Sequence, residues 1–170
     1  IKDAWTWEHQ AVIRARPIVG DIDLAESFNN IRRKLISIPR NRISLKNEIV
    51  KMRERMRKEL LSPKPGFFDL KQDLGGIVDI EFMVQYHVLL NSNKHISLTK
   101  WTDNVRLLQA LTDAGIITEN TGRFLTDAYL SYRASVHRLN LQEKPSAVPE
   151  KNFREIRNRV IEIWNTTFSD

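Results

Sequence analysis

The sequence predicts an all-α fold: a bundle of about seven helices, with one irregular loop or short hairpin near residues 62–76. Three observations carry this. Apolar side chains recur with helical period in almost every segment. The 6 Pro and, except for Gly122, the 6 Gly fall between those segments or at their ends. No convincing run alternates apolar and polar residues as a half-buried strand would.

The elements follow in order. Asp3 to Arg16 reads as a first helix, stopped by Pro17, which cannot continue the hydrogen-bond ladder. Asp21 or Asp23 caps a second, running to about Ser37 before "IPRNR". Ser44 is the expected cap of a third, with Leu45, Ile49, Met52, Met56 and Leu60 as its inward stripe. Its Lys46, Arg53 and Arg57 share a face of the kind usually solvated, and Glu54 with Lys58 has i,i+4 spacing. Residues 62–76 hold Pro63, Pro65, Gly66, Gly75 and Gly76, a loop with an extended piece at "FFDL" and a hairpin near residues 66–74 as the expected exception to helix. A fourth helix spans Ile77 to about Asn91. Thr102 and Asp103 start a fifth, which Gly115 ends at the C′ position. The sixth starts near Thr118, carries Leu125, Tyr129, Tyr132, Val136 and Leu139 inward, and ends before Pro145. The last runs from Pro149 to about Phe168 and buries Phe153, Ile156, Val160, Ile163 and Thr167.

At 170 residues the chain can bury an ordinary core without a staple. It contains no Cys, which excludes disulfides, thiolate metal sites and cysteine catalysis and is compatible with a reducing cytoplasm. No apolar run reaches the ~18 residues of a membrane span, so a soluble chain with no membrane partner is expected. The opening "IKDAWTWEHQ" lacks an initiator Met and is already helical in pattern, as in a piece of a longer polypeptide. A net charge of +6 favours anionic partners, but a nucleic-acid-binding domain ranks last because no aromatic and basic interleaving accompanies the charge. His9, His87, His95 and His137 lack zinc spacing, and no GxGxxG, Walker A or nucleophile-elbow pattern occurs.

The suggestive stretch is "FFDLKQDLGGIVDIEFMVQYHVLL", where Asp79 and Glu81 sit within an apolar helix just after Gly75 and Gly76. Buried carboxylates need a charge or donor to offset desolvation. At 100° per residue, Glu81 and Gln85 share one stripe and Asp79 points almost opposite, so the two carboxylates cannot chelate one metal from this helix. With Gly76 as N-cap, Asp79 is at N3, where an acid suits the helix dipole and can reach a backbone N–H. Glu81 needs a cation, with Lys71 or an Arg available, and the residues leave open whether that contact is structural or functional. The diglycine reads either as a tight turn or as a source of free N–H groups for an anion. Arg14 and Arg16 end the first helix, where they suit its dipole and could reach a phosphate.

The motif "FDLKQDLGGIVDIEFMVQ", the opening "AWTWEHQAVIRARPIVGD" and the later "WTDNVRLLQALTDAGII" together resemble the glutamine synthetase adenylyltransferase family over essentially the whole chain. The resemblance implies a parent enzyme of two halves, each a nucleotidyltransferase domain followed by a helical domain. One half transfers AMP from ATP to glutamine synthetase and the other removes it. This chain is similar to the helical domain of the C-terminal, adenylylating half, with residues 1–20 linking from the preceding nucleotidyltransferase domain and residues 21–170 forming the bundle. ATP and Mg²⁺ are the implied cofactors, and glutamine synthetase, the PII signal protein and the preceding domain the implied partners. The family's Gly-Ser-Asp-x-Asp type metal motif is missing here, so no catalytic or metal-binding residue is expected in this chain and it should be silent alone. The resemblance places Asp69, Lys71, Gly75, Gly76, Asp79, Glu81 and Gln85 on a wall of the nucleotide cleft, with Arg14 and Arg16 facing phosphate. Lys71 would neutralise phosphate charge, the diglycine amides would donate, and Glu81 would orient Lys71 or an Arg of the other domain. The competing reading is an interaction module that docks glutamine synthetase or PII without a chemical role.

Overall fold

One mostly apolar helix organises the chain, and five of the others pack on it. A computed structural model describes residues 5–61 and 64–169. Its helices are α1 (Thr6–Arg14), α2 (Ile22–Ile36), α3 (Arg42–Leu60), α4 (Ile77–Asn91), α5 (Asn104–Asp113), α6 (Glu119–Leu141) and α7 (Arg154–Phe168). Eleven of the fifteen α4 residues are buried, and α1, α3, α5, α6 and α7 all pack on it. A helix with apolar residues on every side has to be enclosed to be stable in water, and most of α4 is. Ile80, Val88 and Leu89 have no exposed surface.

The bundle expected from the sequence is what forms, and most caps fall where expected. Asp21 accepts the N–H groups of Asp23 and Leu24, Asp103 accepts that of Arg106, and Thr118 accepts that of Thr121. Gly115 turns the chain at φ +67°, following α5. The expected first helix is described from Thr6, and Asp3, Ser62 and Pro63 lie outside the described residues.

Four details differ from expectation. The cap of α3 is Asn41, whose side chain accepts the Ser44 N–H at 3.0 Å, so the helix begins before Ser44. Among the described residues its i,i+4 ion pair is Arg55 with Glu59 rather than Glu54 with Lys58. The extended piece at residues 67–69, β1 (Phe67–Asp69), is not half of a local hairpin. Its antiparallel partner is the distant β2 (Ala147–Pro149), in register Phe68 with Val148. Consequently Pro149 belongs to a strand, a 3₁₀ turn over Glu150–Asn152 follows, and α7 starts only at Arg154. Of the stripe expected on α7, only Val160 is fully enclosed.

Two arginines tie irregular backbone to the bundle. Arg32, 5% exposed, donates to the carbonyls of Val12, Ile13, Thr99 and Trp101, closing the end of α1 over α2 and the turn before α5. Arg40 does the same for Leu35, Ile36, Ile38 and Leu89. Burial lowers the pKa of both guanidiniums from a value high enough that they stay charged. Replacing Arg32 with Met leaves four carbonyls short of a donor, and urea unfolding is expected to show a loss of about 3 kcal/mol. A loss below about 0.5 kcal/mol would contradict this role.

Candidate functional site

The loop from β1 to α4 is built by its own polar groups. The Asp69 carboxylate accepts the N–H groups of Lys71 (2.8 Å) and Gln72 (3.0 Å) and the Ser146 hydroxyl at 3.2 Å, a side-chain turn that reverses the chain. Asp73 returns a carboxylate oxygen to the Asp69 N–H at 2.8 Å. The chain then passes through Gly75 at φ +77°, where an added Cβ would lie 2.6 Å from the Arg157 carbonyl oxygen. Glycine is required there for both conformation and space. Gly76 is the N-cap of α4, as expected.

Asp79 sits at N3 of α4, with a side chain 1% exposed and every partner internal. One oxygen accepts the Arg53 Nε–H at 2.6 Å and an Arg57 N–H at 3.3 Å, and the other accepts the Gly75 N–H at 2.7 Å. Arg53, expected on a solvated face of α3, is fully enclosed and also donates to the Gln72 carbonyl at 2.8 Å. Burial lowers the Arg53 pKa while Asp79 opposes the shift, and the guanidinium stays charged. The carboxylate that needed a partner therefore has one from α3.

The diglycine amides are not available to an anion, contrary to the expectation from sequence. Gly75 donates to Asp79, Gly76 to the Asp73 carbonyl (3.0 Å), Ile77 to the Leu70 carbonyl (2.9 Å) and Val78 to the Lys71 carbonyl (3.3 Å). The loop folds back over the helix start, and residues 75–80 are all buried. The donors that a bare helix N-terminus would offer are consumed by the turn that makes the terminus.

Glu81 faces the other side of α4, as the helical spacing requires. Its Oε1 accepts an Arg14 N–H at 2.7 Å, an Asn104 amide N–H at 3.1 Å and the Tyr129 hydroxyl at 3.2 Å. The cation is thus Arg14 from α1 in this chain, not Lys71. Asn104 also donates to the Tyr129 oxygen at 2.9 Å, so α1, α4, α5 and α6 meet in one polar cluster. Burial, with Glu81 nearby, raises the Tyr129 pKa against the lowering effect of the Asn104 bond, so the phenol stays a donor at neutral pH. The cluster is open on one side: the Arg14 side chain is 40% exposed and that of Glu81 16%. Next to it, Gln85 accepts from the buried Gln10 of α1 at 2.8 Å. Arg16 and Lys71 are exposed, and neither side chain has a hydrogen bond or ion pair among the described residues.

The site residues read from sequence therefore divide in two. Gly75, Gly76 and Asp79 form a sealed junction, with Asp69 half-buried beside it and Lys71 exposed on its surface. Glu81 and Gln85 join α1 through Arg14 and Gln10 on a different face. Sequence reasoning missed Arg53 as the partner of Asp79 and Asn104 as a ligand of Glu81, and placed Tyr129 only as a core residue. An Arg within the otherwise apolar Ile49–Met56 side of α3 is the one signal that pointed to Arg53.

The sequence model of the GlnD PII-uridylyltransferase family matches residues 44–147, which contain the loop, α4, Asn104 and Tyr129. The chain belongs to this family. Relatives described as bifunctional glutamine synthetase adenylyltransferase/adenylyl-removing enzyme match nearly the whole chain. That of Thioalkalivibrio sulfidiphilus is 46% identical over 98% of this chain, that of Vibrio parahaemolyticus 45% over 99% and that of Pseudomonas aeruginosa 42% over 96%. The resemblance read from "FDLKQDLGGIVDIEFMVQ" is borne out. The chain spans only 17–18% of the length of these relatives.

Removing Asp79 leaves the Arg53 charge buried and unpaired. Asp79→Ala is expected to cost about 4 kcal/mol in chemical denaturation, whereas Lys71→Ala, at an exposed side chain, should change stability by less than about 0.5 kcal/mol. Equal effects would contradict the division between sealed and exposed groups.

Proposed function

We propose that this chain is the helical domain that accompanies a nucleotidyltransferase domain in a bifunctional enzyme adenylylating and deadenylylating glutamine synthetase, and that it lies in the C-terminal, adenylylating half. Support comes from relatives of that description matching nearly the whole chain. The parent enzyme would use ATP and Mg²⁺, with the metal ligands on the preceding domain, and would act in the cytoplasm on glutamine synthetase under control by PII.

The observation that carries a role near the cleft is the Arg14–Glu81 pair. Its guanidinium is partly exposed, and the carboxylate holding it is fixed by Asn104 and Tyr129. A cation oriented in this way loses little side-chain freedom when it meets an anion. Arg14 presents N–H donors to phosphate oxygens on the facing domain, and Lys71 adds a mobile positive charge. The buried Asp79 group keeps the start of α4 in place without touching substrate. Glu81 is a positioning residue for Arg14 in this reading, and Gln85 with Gln10 fixes α1 beside it.

One observation favours the docking reading as well. Ile18, Val19, Ile22 and Leu24 are each more than 70% exposed, an apolar surface at the start of α2. The two readings part in kinetics. In the full-length enzyme, Arg14→Gln and Lys71→Ala are each expected to lower the adenylylation kcat about tenfold, the size of one charge-assisted contact, with an unchanged thermal midpoint. An unchanged kcat with weakened affinity for glutamine synthetase would overturn the cleft reading in favour of docking.

A further inference from the structure

A cavity of about 660 Å³ lies on the far side of the bundle, bounded by α4, the start of α6 and α7, with the first turn of α3 at its rim. Its volume is in the range of small-ligand sites. On α4 it begins at Tyr86, whereas the Glu81 cluster lies more than a turn earlier. The function proposed above makes no use of it.

Four features of the lining point to one ligand chemistry. Arg42 and Arg159 both border the cavity, and neither is hydrogen-bonded or ion-paired among the described residues. The Arg159 guanidinium lies 4.8 Å from the centre of the Phe124 ring, a contact that leaves its N–H donors free. Among the described residues Glu162 is the only carboxylate in the lining, beside the two arginines. His87 adds no charge at neutral pH, because burial and the nearby Arg42 push its pKa down to about 4. Tyr86, 1% exposed, also lines the cavity, and its hydroxyl is buried without a partner among the described residues. Buried hydroxyls are normally satisfied, so this one marks a position where an acceptor or donor is missing. Leu90, Ile116 and Ile163 give the remaining wall an apolar character, and the Thr118 and Thr121 hydroxyls stand beside it.

We propose that this cavity binds a small organic acid, with its oxyanion head, a carboxylate or a phosphate, held by Arg42 and Arg159 and its body against Leu90, Ile116 and Ile163. Guanidinium pairs suit planar carboxylate and phosphate oxygens alike. Because α3, α4, α6 and α7 each contribute to the lining, occupancy braces α3, α6 and α7 against the central helix. Binding there is therefore a means of stiffening the domain from a distance.

The test is a titration of the ¹⁵N-labelled chain with inorganic phosphate and, separately, with succinate, each against sodium chloride at equal ionic strength to remove general screening. Saturable shifts are expected at the amides of Thr118, Thr121 and Thr166, and the probe that saturates first identifies the head group. Arg42→Gln combined with Arg159→Gln should raise the Kd at least about tenfold, and both side chains are exposed, so the unliganded spectrum should keep its dispersion. If neither probe saturates at millimolar concentration beyond the chloride control, or the double variant binds as the parent does, the site does not exist.

Discussion

The structure depends on the enclosed Asp79 carboxylate. An ionised group with a side chain 1% exposed is tolerable only if donors replace water at its oxygens, and three do so here from two parts of the chain. Arg53 and Arg57 come from α3, and the Gly75 N–H comes from the turn that precedes α4. Such a pair is not strong evidence of net stabilisation, because desolvation offsets much of the attraction. Its effect is on uniqueness: any shift of α4 against α3 or of the turn leaves a charge without a partner. The junction extends further, since Arg157 of α7 donates to the Leu74 carbonyl at 3.0 Å and its own carbonyl crowds Gly75.

This explains why two carboxylates two residues apart have different roles. Asp79 points toward α3 and is sealed; Glu81 points toward α1, α5 and α6 and keeps contact with solvent through Arg14. The sealed group is suited to holding the frame. The open one is suited to holding a cation at the surface, where solvent reaches it.

Much of this was legible in the sequence. Gly75 and Gly76 followed by an apolar run marked the start of α4, and the 100° periodicity correctly set Asp79 and Glu81 on opposite faces. The capping role of Asp79 was legible too, since it follows from position N3 alone. What could not be read were contacts made across sequence distance. Arg53 looked solvated because charge on a helix face usually is, and only the placement of α4 shows that it is enclosed. The fold-back that occupies the Gly76, Ile77 and Val78 amides depends on loop carbonyls whose direction no residue type encodes. The β1–β2 pair escaped for a similar reason: three residues, Ala147 to Pro149, carry too little periodicity to announce a strand whose partner is near residue 68. Arg32 and Arg40, which bind backbone carbonyls, look from sequence like any other arginine of a basic helix.

The most direct test of the account is native-state hydrogen exchange at the Gly75 amide, the one N–H that Asp79 holds from outside the helix. The account predicts protection close to that of the α4 core amides, with loss of that protection in Asp79→Asn. Exchange of Gly75 at the rate of an open loop, while α4 stays protected, would contradict it.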